Sequence, residues 1–226
     1  MKRRITFFVV ILLGISLFTG CQKEINQLSK PKSGDTVAEI NVRYYGTIYV
    51  KFFEKEAPKA VENFVTHAED GYYDGLSIYK IIENSLVESG DPTNKGSGGE
   101  SIWGNEFKDE FNPYLQPYYG AMCMVNSGPD KNGSRFFIVQ ADKTYDDKVL
   151  DQIEQTYQVK FNKRARELYG NVGGAPWFYE RNTIFGQVYK GFEVLDKIAK
   201  VSKSDAELGI PAEKVIIDKI NIVKQK

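Results

Sequence analysis

Eight short stretches rich in alternating apolar residues, each closed by a turn signal, constrain this chain more than any other feature. "VAEINV" and "GTIYVKFF" are joined by a Tyr/Gly turn, which predicts a β-hairpin. "LSIYKII", "SLVES", "GAMCMV", "SRFFIVQ", "TIFGQVY" and "KVIIDKINIV" follow. Only two framework helices accompany them. "APKAVENFVTHAEDG" sets Ala57, Ala60, Val61, Phe64, Val65 and Ala68 at helical spacing, with Pro58 in the first turn and Gly71 as the stop. "GFEVLDKIAK" precedes the last strand. The pattern predicts a mainly β fold, a closed or sandwiched antiparallel sheet.

One segment breaks the rhythm. Between about 142 and 174, Leu150, Ile153, Tyr157, Phe161 and Leu168 recur at roughly helical spacing, which predicts an inserted helical excursion on the surface. The Gly-rich "NKGSGGESIWGNEF" lacks the strand-then-helix context of a phosphate cradle and reads as an ordered loop. His67, the only histidine, rides beside the apolar stripe of its helix and is expected at the surface or its boundary. No clustered metal ligands and no Ser/His/Asp set stand out, so neither metal nor cofactor is expected.

The N-terminus reads separately. Lys2, Arg3 and Arg4 precede an uncharged apolar run from Ile5 to Phe18 and then "TGC", the order of an export signal. The apolar run rises only about 21 Å as a helix, short of the roughly 20 residues a bilayer span needs. "FTGC" is similar to a bacterial lipobox, which makes Cys21 the expected lipid-bearing first residue of the mature protein; the alternative is a plain cleaved signal. The expected organisation is a lipoprotein signal over 1–20, a polar flexible tether over 21–35 and one globular domain over 36–226. The expected place is the outer side of a bacterial cell membrane. Without residues 1–20 the chain has 27 basic and 30 acidic side chains, and nothing in it points to nucleic acid. With Cys21 acylated, Cys123 has no partner and reads as a small buried hydrophobe. A monomer is expected.

The blocks "APKAVENF", "GYYDGLSIYKII", "GSGGESIWGNEFKDE", "MVNSGPDKNGSRFFIV" and "IFGQVYKGFEVLDKIA" resemble, in order, the cyclophilins. The resemblance covers about residues 37–223 apart from the insertion. With the lipid-anchor signal, the insertion and "GGAPW", it is similar to the surface cyclophilin lipoproteins of bacteria. It implies an eight-stranded antiparallel barrel capped by two helices, and peptidyl-prolyl isomerase activity on proline-containing segments of unfolded or exported proteins. Such catalysis needs no covalent step. An apolar pocket holds the proline ring, and a guanidinium donates to the prolyl nitrogen as amide resonance is lost.

Carried over by position, the resemblance makes Phe137 the pocket floor, Trp177 its rim and Asn126 the residue whose backbone pairs with substrate. Val125, Leu86 and Phe178 stand where the family has alanine, methionine and leucine. Other positions depart further. Lys80 replaces the catalytic arginine, Ser85 a pocket phenylalanine, Glu88 and Arg135 two glutamines, and Asn182 the rim histidine. A reversal about Asn84 sets Lys80 opposite Glu88, close enough for an ion pair, and that pair is expected to occupy Lys80. Two readings follow: an isomerase of reduced activity, or a catalytically impaired peptide-binding, chaperone-like lipoprotein.

Overall fold

The computed structural model describes residues 25–226. The barrel strands are β1 (Thr36–Val42), β2 (Gly46–Phe52), β3 (Ser77–Ile78), β4 (Lys80–Ile82), β5 (Ser85–Ser89), β6 (Ala121–Asn126), β7 (Asn132–Gln140) and β8 (Ile184–Lys190); β9 (Lys203–Asp205) and β10 (Ile210–Pro211) form a separate small ribbon, and β11 (Val215–Lys224) returns to the barrel. The large sheet runs β3-β11-β1-β2-β8-β6-β7-β5-β4. Its two ends, β3 and β4, are halves of a single stretch interrupted only at Tyr79. The sheet therefore closes on itself, and the eight expected strands stand.

The interruption has a cause in the sequence. Ile78 and Ile81 are three residues apart, yet both are buried in the barrel core, which strict alternation forbids. One extra residue resolves the conflict: the Glu88 carbonyl accepts from Tyr79 N–H, while Glu88 pairs with Lys80. Two residues thus oppose one, a β-bulge.

Helices α1 (Pro58–Glu69) and α4 (Phe192–Ala199) contribute Ala60, Val61, Phe64, Leu195 and Ile198 to the same core, as the apolar spacing predicts. The insertion holds α2 (Asp147–Tyr157) and α3 (Lys163–Val172), capped by the Asp146 and Asn162 side chains. It is more than a surface excursion, because Leu150, Phe161, Ala165 and Tyr169 close a small core of their own around Tyr118 and Tyr179. Phe161 serves that core from the connection between the helices. Arg166 ties the pair together through Asp147, Asp151 and Glu154.

Two sequence expectations are corrected. His67 is buried: its ring packs 4.1 Å from that of Tyr72, and its Nε2–H donates to the Glu100 carbonyl at 3.0 Å. Residues 25–35 are not a free tether. Gln27 is only 3% exposed, donating to the Gln116 carbonyl (2.7 Å) and Gln187 Oε1 (3.0 Å) and accepting from Gln116 N–H. Lys51 on β2 donates to the Asn26 carbonyl and Ser29 Oγ. A polar composition read as solvated chain because hydrogen bonds to residues more than 80 positions away leave no mark in it. Residues 21–24 lie outside the described residues, as do the expected signal sequence and Cys21. Among the described residues no helix is long and apolar enough to cross a membrane.

Candidate active site

The outer face of the sheet builds the site. The register carries one row of neighbours from Lys80 to Glu88, Phe137, Cys123 and Ile184. Beside it, Leu86 pairs with Val139. Alternation sends Val87, Phe136 and Ile138 into the barrel and leaves Leu86, Phe137, Val139, Cys123 and Ile184 outside as a second apolar cluster. Val125, Trp177 and Phe178 pack against that cluster. Five predicted site residues therefore meet: Phe137, Leu86, Val125, Trp177 and Phe178. Cys123 is fully buried among them, and burial pushes its thiol well up, so it is an inert packing residue.

Trp177 and Phe178 lie on a single 3₁₀ turn, Pro176–Phe178, where the chain returns from the insertion. Gly174 sets its approach by bridging to Tyr118 at a φ of +142°, and a Cβ there would meet the Pro117 carbonyl oxygen at 2.5 Å. Tyr145, at the start of the insertion, donates its hydroxyl to the Gly174 carbonyl and sets its ring edge-on to Trp177 at 6.5 Å. The insertion thereby holds the rim. Phe178 lies over the floor, 4.9 Å from Phe137 between ring centroids, and Phe137 is only 2% exposed.

Asn126 ends β6 next to a register shift at Val125. Its amide donates to the Arg181 carbonyl (2.8 Å) and Asp109 Oδ1 (3.2 Å), which fixes the end of the strand. Asn182 donates to the Met124 carbonyl at 3.0 Å and ties the chain beyond Phe178 to β6. Ser85 pairs with Gln140 at the hairpin end, on the face of β5 opposite Leu86 and Glu88, and adds no wall to the apolar cluster.

The charges differ from expectation in one respect. The predicted register holds, with Lys80 opposite Glu88, Ile81 opposite Val87 and Ile82 opposite Leu86. The ion pair does not form. The bulge brings Tyr79 onto the same side, and its hydroxyl donates to Glu88 Oε1. Burial, then the adjacent Glu88 carboxylate, push the Tyr79 phenol well above its ordinary range, so it remains a donor. Glu88 is 7% exposed and satisfied by a neutral group; Lys80 stays half-buried with no ion pair among the described residues. Keeping the ammonium partly in water avoids the desolvation cost of a buried pair.

Arg135 shares the outer face of β7 with Phe137. It donates through Nη1 to the Gly96 carbonyl and through Nη2 to Ser127 Oγ at 2.7 Å. Gly96 belongs to the Gly-rich loop, which is ordered around the fully buried Asp91. That carboxylate accepts from the N–H groups of Thr93, Lys95, Ser97 and Gly98 and from the Thr93 hydroxyl. Gly98 has to be glycine, since a Cβ would stand 2.4 Å from Asp91 Oδ1. Sequence reasoning passed over Tyr79 and the Arg135 anchors. The three-residue spacing of Ile78 and Ile81 was the available signal for the first.

The family description "Cyclophilin type peptidyl-prolyl cis-trans isomerase/CLD" matches residues 37–223. The chain belongs to this family of peptidyl-prolyl isomerases. A Staphylococcus epidermidis protein provisionally named as such an enzyme is 39% identical over 198 residues, 87% of this chain and 96% of that one; a Staphylococcus aureus relative has the same figures. Among solved structures, a Cryptosporidium parvum cyclophilin type peptidyl-prolyl cis-trans isomerase superimposes with a TM-score of 0.67 at 27% identity, covering 85% of this chain and 99% of that one. The same protein in the presence of the dipeptide Ala-Pro gives a TM-score of 0.66 at 27% identity, over 84% of this chain and 99% of that one.

Proposed function

We propose that this isomerase acts on X-Pro bonds of exported, unfolded chains at the outer face of a bacterial membrane, anchored through a lipid on Cys21, with a turnover below that of arginine-bearing relatives. The observation that carries the reading is the pairing row in which Lys80, without an ion-pair partner among the described residues, stands two strands from Phe137 across Glu88. The proline ring packs on Phe137 and Leu86 under Trp177, and the backbone at Asn126 holds the flanking peptide. As the amide twists, its nitrogen becomes pyramidal and basic, and Lys80 donates to it. That contact exists only in the transition state, so it accelerates rotation instead of merely tightening binding. An ammonium is a mobile point charge where arginine is a planar fork, hence the lower turnover.

The cover of Phe178 over Phe137 favours a second reading, a peptide-binding module in which the pocket is engaged only weakly. Exchange spectroscopy on an Ala-Pro peptide separates the two. The isomerase reading expects catalysed cis/trans exchange that falls at least tenfold in Lys80→Met and rises in Lys80→Arg. Exchange that is equal in all three proteins sinks it.

A further inference from the structure

Arg135 holds a full positive charge at the groove wall, and none of the described residues answers that charge. Its Nη1 and Nη2 bonds run to the Gly96 carbonyl and the Ser127 hydroxyl, both neutral, and its third neighbour is the Tyr79 hydroxyl. Glu88, the nearest carboxylate in the row, is already bonded to Tyr79. Glu100 and Glu106 line the same recess of about 180 Å³ as Arg135, and neither pairs with it. The guanidinium has five N–H donors, so donors remain after the two bonds that fix its plane. Immobilisation matters, because the side-chain entropy normally lost on gripping a ligand is already spent.

A planar cation held rigidly and left unpaired is the complement of a carboxylate. It stands on the same face of β7 as Phe137, two residues along the strand, within reach of a residue flanking a proline seated on that ring. We propose that Arg135 makes this groove select clients bearing an acidic side chain beside the X-Pro pair. The proposal rests on the isomerase reading of the groove and adds a substrate class to it. Tyr79 and Glu88 are positioning residues here: the carboxylate orients the phenol, and the phenol abuts the guanidinium.

The test is a scan of Ala-Pro peptides in which Glu or Gln occupies each flanking position in turn, with Kd from chemical-shift titration and exchange rates read in the same samples. At one position the Glu peptide is expected to bind about tenfold more tightly than the Gln peptide, and the gap is expected to narrow at high salt. In Arg135→Gln the two peptides are expected to bind alike, and Arg135→Lys to restore part of the gap. A flat scan, or a gap that persists in Arg135→Gln, overturns the proposal while the parent peptide still moves the Phe137 and Trp177 signals. A parent peptide that leaves both signals still and undergoes no catalysed exchange overturns the groove reading, and the proposal with it.

Discussion

The Tyr79 hydroxyl satisfies the Glu88 carboxylate, and Lys80, directly across the ladder from Glu88, is thereby left without an ion-pair partner among the described residues. The Tyr79 phenol and the Glu88 carboxylate thus act as one unit. Tyr79→Phe strands a buried carboxylate and is expected to cost about 1–3 kcal/mol. Tyr79→Phe combined with Glu88→Gln is expected to recover most of that loss in urea unfolding. Additive losses would show that the two side chains are not coupled.

Because Lys80 is not held by Glu88, Glu88→Gln alone is expected to change kcat/KM by less than about threefold. Lys80→Arg is expected to raise it about tenfold, equivalent to about 1.4 kcal/mol of transition-state binding. A larger gain from Glu88→Gln than from Lys80→Arg would restore the ion pair that the sequence alone predicts.

Phe178 covers the pocket floor at 4.9 Å from Phe137. Phe178→Leu shortens the cover, and the affinity for an Ala-Pro peptide is expected to rise several-fold, read by Trp177 fluorescence. Unchanged affinity would mean that Phe178 already turns aside without cost.

His67 and Asp91 both make stability fall in acid. Burial depresses the His67 imidazole below its ordinary value, so the unfolded chain binds more protons as pH falls below about 6.5 and stability drops there. His67→Gln is expected to flatten that limb in pH-dependent unfolding. Burial alone would raise the Asp91 carboxyl, but its hydrogen bonds outweigh this and hold it at about 2. Its contribution is intact above the unfolded value of about 3.9 and disappears as pH falls through about 2. Asp91→Ala is expected to cost about 3 kcal/mol at neutral pH by leaving four loop N–H groups unanswered, and to loosen the Gly96 carbonyl that orients Arg135.

Cys21→Ser is expected to release the protein from membranes or to leave its precursor uncleaved. Unchanged fractionation and processing would remove the lipid anchor from the proposal.

Much of this could be read from residue order. Alternation located the strands, the apolar stripes located α1 and α4, and the reversal at Asn84 gave the correct Lys80–Glu88 register. The partner of Glu88 escaped because a bulge turns one side chain across the sheet without altering the pattern on either side. The seat of Gln27 escaped for a related reason: its partners, Gln116 and Gln187, become neighbours only after the barrel closes. The core of the insertion was largely legible, since Leu150 and Phe161 lie in it and Ile153, Tyr157 and Leu168 pack against it, while the closing Tyr169 stands outside that spacing.

The seating of residues 25–35 bears on geometry at the membrane. Under the proposed anchoring, the chain between the lipid on Cys21 and the fixed position of Ile25 reaches at most roughly 14 Å. Ile25 itself packs against the apolar cluster that contains Phe137. The groove would then work at a set standoff and tilt above the headgroups instead of sweeping a wide volume. Its encounters would be with chains emerging within a few nanometres of the bilayer, confined to a thin layer. A Gly/Ser spacer placed before Ile25 would widen that layer without touching the site.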